Sequence, residues 1–368
     1  MHCLCPPDCH IWVSVMFSST SQSRLKSART AAADTSCLNS VKDSHIFMTT
    51  GRLKALKEMK PVVVDKGTGY FRCGFAGDPW PFYIVSSTAG KSTQGDWDTS
   101  IPLTLTNPIR HGIVVDWNCT EMKIQPEDHA FAWSVPPLCS ITDKERYAEM
   151  MFKGFHMPAL HIAYQSQLSM YSYRKTSALV VESGHGVLHV VPIYEGYVIR
   201  SITGRVDYAG LDITHYRMKL LNESGNVFTE HQLNVVQDIK EKCCYTSLDL
   251  TQDLSFALQT SLGSEQPGLL QLTLSCLKKC YGNVKKMVEN ILLCGGSTMM
   301  EGFANRFQME LAKMCPSDNL ITAALRQRMS SVCIGGSILA SLHSFQELRV
   351  YRTEYEEHGP SCLFKKCL

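Results

Sequence analysis

Two stretches of this chain repeat one pattern, and the repetition limits what it can fold into. Pro61–Gly77 reads PVVVDKGTGYFRCGFAG, and Ala178–Tyr197 reads ALVVESGHGVLHVVPIYEGY. In each, an apolar run rich in valine ends on an acid, Asp65 in the first and Glu182 in the second. Two glycines one residue apart follow (Gly67 and Gly69, then Gly184 and Gly186), and a second β-rich run carries on. That order is a strand, a tight turn and a returning strand. Backbone N–H groups of such a turn can cradle an anion. Two copies imply an internally duplicated fold whose hairpins face one site.

Composition narrows the class. At 368 residues, 44% hydrophobic and 19% charged, the chain can bury a large core and divide into two domains. A net charge of +2 argues against an extended nucleic-acid surface or a polybasic membrane tail. No apolar stretch reaches the roughly 18 to 20 residues of a membrane-spanning helix. The 16 cysteines are scattered, which suits a reducing compartment better than a disulfide framework. Cys3, Cys5, Cys9 and His10 approach metal-ligand spacing, but no second ligand cluster follows. Residues 1 to 60 read as a disordered extension, with a weak transit-peptide flavour in their Ser and Arg content and no secretory signal.

From Pro61 onward strands and helices alternate in two halves, an α/β arrangement. Residues 90–100 read as a loop. Ile109–Trp117 reads as a turn and a β-branched run, with Asp116 as a helix N-cap. The prolines of 125–137 exclude a long helix. Thr142 and Glu145 form a capping-box pattern at the start of a helix. Leu160–Tyr171 reads as a second helix containing Gln165. Helices are also predicted over 209–222, 230–245, 269–288 and 303–314. A strand at Ile291–Cys294 leads into a third glycine turn, Gly295-Gly296-Ser297-Thr298. Ile334–Phe345 reads as a helix with one apolar stripe of Ile338, Leu339, Leu342 and Phe345.

Several collinear segments resemble actin and actin-related proteins: FAGD (75–78), HGIVVDW (111–117), VPIYEGY (191–197), DIKEKCCY (238–245), IGGSILASL (334–342) and the ending with YEEHGP and KKC. LLCGGSTMMEGF and the ending look most like the testis actin-like proteins. The resemblance runs from Val62 to Cys367. It implies a duplicated two-domain α/β fold of the actin, Hsp70 and sugar-kinase type around a central nucleotide cleft. The first domain would span 61–170, with 329–368 returning to it, and the second 171–328.

The same resemblance implies a set of site residues. ATP or ADP with Mg2+ would be held by Asp65, Gly67, Thr68, Gly69 and Arg72 of the first hairpin and by Glu182, Ser183, Gly184 and Gly186 of the second. Gly210, Asp212, Lys240, Glu241, Gly295, Gly296, Ser297 and Met299 would surround the nucleoside, and no side chain would ligate metal directly. Gln165 and His189 match positions that orient attacking water. Tyr171, Leu339 and Leu342 match a hydrophobic cleft for partner helices.

Departures from the family pattern concentrate in the cleft. Lys66 stands where the family has Asn, Arg72 where it has Lys, and Leu211 where it has Arg. Gln237 and Met329 replace Arg and Lys beside the base. In the second hairpin D-S-G-D-G becomes Glu182-Ser183-Gly184-His185-Gly186, so a carboxylate near the expected cation is lost. At about 4 Å and an effective dielectric of about 20, such a pair is worth about 4 kcal/mol. The core after the extension is roughly 308 residues, about 65 short of the family's usual size. The shortfall falls after Gly90, near Lys123 and between Leu250 and Pro267, in the small outer subdomains that make filament contacts.

The resulting expectation is a divergent actin-like cytoskeletal scaffold of the male germ line, in the cytoplasm and cytoskeleton. Its partners would be other cytoskeletal or sperm-head proteins, with no nucleic acid and no membrane span. Its nucleotide cleft would be degenerate, with weak or absent ATPase, and actin-type filaments are not expected. The alternative is an active ATP-hydrolysing actin-related protein. A nuclear chromatin-complex subunit and a poorly folded product of a decaying gene are further alternatives.

Overall fold

The computed structural model describes residues 60–91, 104–106, 108–111, 113–114, 129–248, 268–282, 290–316 and 320–367. The expected extension before Lys60, the Cys3–His10 cluster, most of the 90–100 loop, the Asp116 cap and nearly all of 248–268 lie outside these residues.

The duplication is visible in the strand pairing. Val62–Lys66 (β1) pairs antiparallel with Tyr70–Phe75 (β2) and parallel with Ala130–Val135 (β8). Ala178–Ser183 (β10) pairs antiparallel with Leu188–Tyr194 (β11) and parallel with Asn290–Cys294 (β14). Each hairpin is then extended the same way. Beyond β2 lies Tyr83–Ser86 (β3), and beyond β8 lie Ala159–Tyr164 (β9) and Val350–Tyr351 (β16). Beyond β11 come Tyr197–Val198 (β12) and Gly204–Val206 (β13), and beyond β14 comes Ile321–Ala323 (β15). Two small ribbons join β3 to β8: Ala89–Lys91 (β4) with Thr104–Thr106 (β5), and Ile109–Arg110 (β6) with Ile113–Val114 (β7).

Alternation along a strand sends successive side chains to opposite faces. In β1, Val62 and Val64 enter an outer core with Phe131, Trp133, Met151 and Phe152, while Val63 enters an inner one with Ala132, Leu168 and Leu339. In β10, Leu179 and Val181 pack outward with Leu274 and Phe307, and Val180 packs inward with Met170 and Leu292. The acid closing each strand therefore falls on the inner face. Gln165–Ser172 (α2) and Ser331–Ser341 (α7) fill the inner layer. Gly335 lets α7 approach the Leu168 carbonyl more closely than a Cβ would permit.

The remaining helices are Ile141–Glu149 (α1), Gly210–Glu223 (α3), Leu233–Cys243 (α4), Leu269–Lys278 (α5), Phe303–Met314 (α6), Phe345–Leu348 (α8), Arg352–His358 (α9) and Leu363–Lys366 (α10). None among the described residues is long and apolar enough to cross a membrane.

Three local readings are corrected. The cap of α1 is Ser140, whose Oγ accepts from Asp143 N at 3.0 Å, and not Thr142 with Glu145. The predicted helix over Leu160–Tyr171 is half strand: β9 runs to Tyr164, and α2 begins at Gln165. All six residues of β9 are buried between two strands, so their apolar run carries no period that separates a strand from a helix. The last apolar helix also ends earlier than expected, at Ser341. Leu339 and Phe345 are buried, whereas Ile338 is 38% and Leu342 50% exposed, so the four do not form one buried stripe.

Candidate nucleotide cleft

The two hairpins meet at their turns. A Cβ on Gly69 would stand 2.6 Å from Cγ of His185, and one on Gly186 would stand 2.6 Å from Cγ2 of Thr68. Each hairpin thus leaves room for a side chain of the other, and this close approach is what requires glycine there. His111 in the β6–β7 turn donates from Nδ1 to the Gly186 carbonyl at 2.5 Å, and Arg205 Nη2 donates to the His111 carbonyl at 2.8 Å. Gln237 Nε2 donates to the Tyr70 hydroxyl at 3.0 Å, which ties α4 to β2.

Beneath these contacts lies a cavity of about 470 Å³. It brings together most of the predicted residues. Asp65, Gly67, Thr68, Gly69 and Arg72 line it from the first hairpin, and Glu182, Gly184 and Gly186 from the second. Gly210, Lys240, Glu241, Gly295, Gly296, Ser297 and Met299 close the far side, and Gln165 and His189 reach it from the inner layer. Two predicted residues do not line it. Ser183 is buried beneath the turn, and Asp212 Oδ2 accepts from Ala209 N at 2.8 Å, capping α3. Sequence reasoning missed Tyr70, Ile84, Ile213, Met300, Ser331 and Val332, which also line the cavity. Tyr70 was findable, since it directly follows the first Gly-x-Gly.

Hairpin register sets an acid opposite a nitrogen base in both copies: Asp65 faces Arg72, and Glu182 faces His189. Asp65 is fully engaged. Its Oδ1 accepts from Ser134 Oγ at 2.8 Å and Gln165 Nε2 at 3.1 Å, and Oδ2 lies 3.6 Å from Arg72 Nη1. Glu182 is different, because its Oε2 is shut off from solvent and has no hydrogen-bond partner. Burial first, and the Asp65 charge second, push its carboxyl up to about 8. Burial lowers His185 to about 4, helped by Lys240, and lowers His189 to about 3, helped by Arg205. Both imidazoles are neutral at pH 7. Lys240 donates to the Gly210 carbonyl and to Thr214 Oγ1, each at 2.8 Å, and burial lowers its affinity for a proton.

The third glycine turn is fastened to the second hairpin by Ser297 Oγ, which donates to the Gly184 carbonyl at 2.6 Å. The cavity's size, its glycine-lined floor and its cationic side chains fit a nucleoside polyphosphate. Among the described residues no group of three His, Cys, Asp or Glu is placed to hold a metal ion.

The predicted partner cleft is only partly assembled. Tyr171 and Leu339 share the inner core, and Gln167 Nε2 donates to the Tyr171 hydroxyl at 3.2 Å. Leu342 stands outside that core, half exposed.

A duplicated α/β fold with two facing glycine hairpins around a nucleotide-sized cleft defines a class, and the comparisons place the chain within it. The actin family model matches residues 56–267 and 255–368. Human actin-like protein 7A is 48% identical over 365 residues, covering 84% of each chain. Human actin-like protein 7B is 44% identical over 372 residues, covering 85% of this chain and 90% of its own, and rat actin-like protein 7B is 41% identical over 386 residues, covering 89% and 93%. The chain belongs to the actin family.

The match to human 7A extends over 365 positions, whereas 84% of 368 residues is about 309. Roughly 56 positions of that relative therefore have no counterpart here. The family match also breaks and restarts within 255–267, part of the stretch expected to lack a strand pair.

Proposed function

We propose that this protein is an actin-like structural component of the cytoskeleton that keeps a nucleotide in its cleft as an internal brace and turns it over little. The observation that carries the reading is the 470 Å³ cavity, lined at once by both hairpins, Lys240 and the third glycine turn. A ligand bridging these elements would tie the two sheets together and stabilise the fold by mass action.

Weak turnover is supported by the commitment of one water-positioning residue. The Gln165 amide is engaged with Asp65 at 3.1 Å. The second reading, an active ATPase, draws on the presence of Gln165 and His189 on the cavity wall. Phosphate release decides between them. The structural reading expects a rate unchanged by Gln165→Ala, and a rate that falls tenfold or more in that variant would establish the ATPase.

Actin-type filaments are not expected, because the resemblance implies that the shortfall lies where outer-subdomain contacts would be made. Pelleting of filaments with ATP and Mg2+ would refute this. Domains of 61–170 with 329–368, and 171–328, are supported by the pairing of β16 with β9. A cytoplasmic, cytoskeletal place in the male germ line, with cytoskeletal or sperm-head partners, rests on the likeness to testis actin-like proteins. Imaging of the tagged chain in germ cells tests it.

A further inference from the structure

We infer that the cleft takes its nucleotide as a free polyphosphate anion, without the divalent cation that accompanies it elsewhere in the family. The inference rests on the nucleotide-binding reading above and concerns what balances the phosphate charge.

A hydrated divalent ion needs carboxylate oxygens turned toward the phosphates and free to accept from its water shell. Here three acids line the cavity, Asp65, Glu182 and Glu241. Asp65 spends Oδ1 on Ser134 and Gln165, and Oδ2 faces the Arg72 guanidinium at 3.6 Å. A dication approaching that carboxylate would meet the guanidinium at close range. Between Gly184 and Gly186 the side chain is the imidazole of His185, packed against Gly69. Of the other two acids on the wall, Glu241 Oε1 accepts from Gln237 at 2.9 Å, and Glu182 has its Oε2 buried and unpartnered and its carboxyl raised to about 8, so that it holds its proton at pH 7.

The opposite resource is present. Arg72 Nε is buried, unpartnered and on the cavity wall, and His189 Nε2 is likewise buried without a partner. An arginine N–H is an obligatory donor, and a planar guanidinium suits phosphate oxygens better than the ammonium of a lysine. A polyphosphate seated between the hairpins would satisfy Arg72 Nε, and Arg72 and Lys240 both line the cavity it would occupy. The arginine at position 72 and the histidine at position 185 then read as one change: a planar donor fork stands where the family has a lysine, and a neutral ring stands where it has a carboxylate.

The test is calorimetric titration of the full chain with ADP and with ATP, once in excess EDTA and once in millimolar Mg2+, with thermal midpoints measured in parallel. Affinity in EDTA within about threefold of that in Mg2+ supports the inference. Tenfold or more tightening by Mg2+ overturns it while leaving nucleotide binding intact. No binding in either buffer overturns the nucleotide reading itself. His185→Asp supplies the converse: the variant is expected to gain at least tenfold in Mg2+ over EDTA and to bind Mn2+ by electron paramagnetic resonance, whereas the parent chain leaves Mn2+ free. Bound Mn2+ in the parent chain counts against the inference.

Discussion

Lys66 offers the most direct test of how this fold tolerates its own substitutions. It closes β1 one residue after Asp65, on the outward face that carries Val62 and Val64. Only 9% of the residue is exposed, and its Nζ is buried without a hydrogen-bond partner. Burial alone pulls its affinity for a proton down from 10.5 to about 7. In the unfolded chain the amine keeps its ordinary value, so between about pH 7 and 10.5 the unfolded state binds more protons than the folded one. Stability therefore rises with pH across that window, and below pH 7 the full cost of the buried charge is present. At about 1.4 kcal/mol per tenfold in proton affinity, that cost is on the order of 4 kcal/mol at neutral pH.

Lys66→Met keeps the aliphatic volume and removes the charge, so it should stabilise the protein by about 2 to 4 kcal/mol at pH 7. Lys66→Asn, which restores the family residue, should gain less, because an amide must find partners of its own. Urea unfolding of parent and variant at pH 7 and at about pH 10 measures both points. The Lys66→Met advantage should shrink at the higher pH, where the folded parent holds its amine neutral and no longer carries a buried charge. Equal stability at pH 7, or an advantage that does not change with pH, would refute the reasoning and show that the amine reaches water or an anion.

Other expectations follow from the same physics. Glu182 titrates in the reverse sense: its folded-state value is raised to about 8, so the folded protein holds the extra proton and stability falls as pH climbs from about 4.5 to 8. Glu182→Gln should flatten that decline in a series of thermal midpoints. Between about pH 6.5 and 4 the buried His161 and His189, both lowered by burial, should cost stability as the unfolded chain takes up protons, and His189→Gln should soften acid unfolding. Tyr70→Phe removes the acceptor of the Gln237 bond across the cleft, worth about 0.5 to 1.5 kcal/mol. Release of a fluorescent nucleotide should accelerate severalfold, and an unchanged rate would show that this contact does not gate the cleft. Ser140→Ala should cost about 1 kcal/mol in urea unfolding through loss of the α1 cap.

What the sequence made legible, and what it hid, separates along one physical line. The hairpins could be read because glycine spacing and an acid at the end of an apolar run are local signals, and the register of β1 with β2 and of β10 with β11 follows from them. The strand β9 could not, since a run buried on both faces carries no alternation. Asp212 shows the limit of transferred roles: the family pattern assigns it to the nucleoside, but its carboxylate is spent on its own helix terminus.

Charge at the site was the least legible of all. Glu182 and His185 read in sequence as damage to a metal site, a loss with no compensation. Their surroundings alter that reading, because the hairpin that lost a carboxylate faces one whose Arg72 Nε stands unpartnered over the same cavity. Whether a substitution is decay or exchange depends on side chains about a hundred residues apart in the chain. Only the fold, by setting Gly69 against His185 and Thr68 against Gly186, brings those side chains to one place.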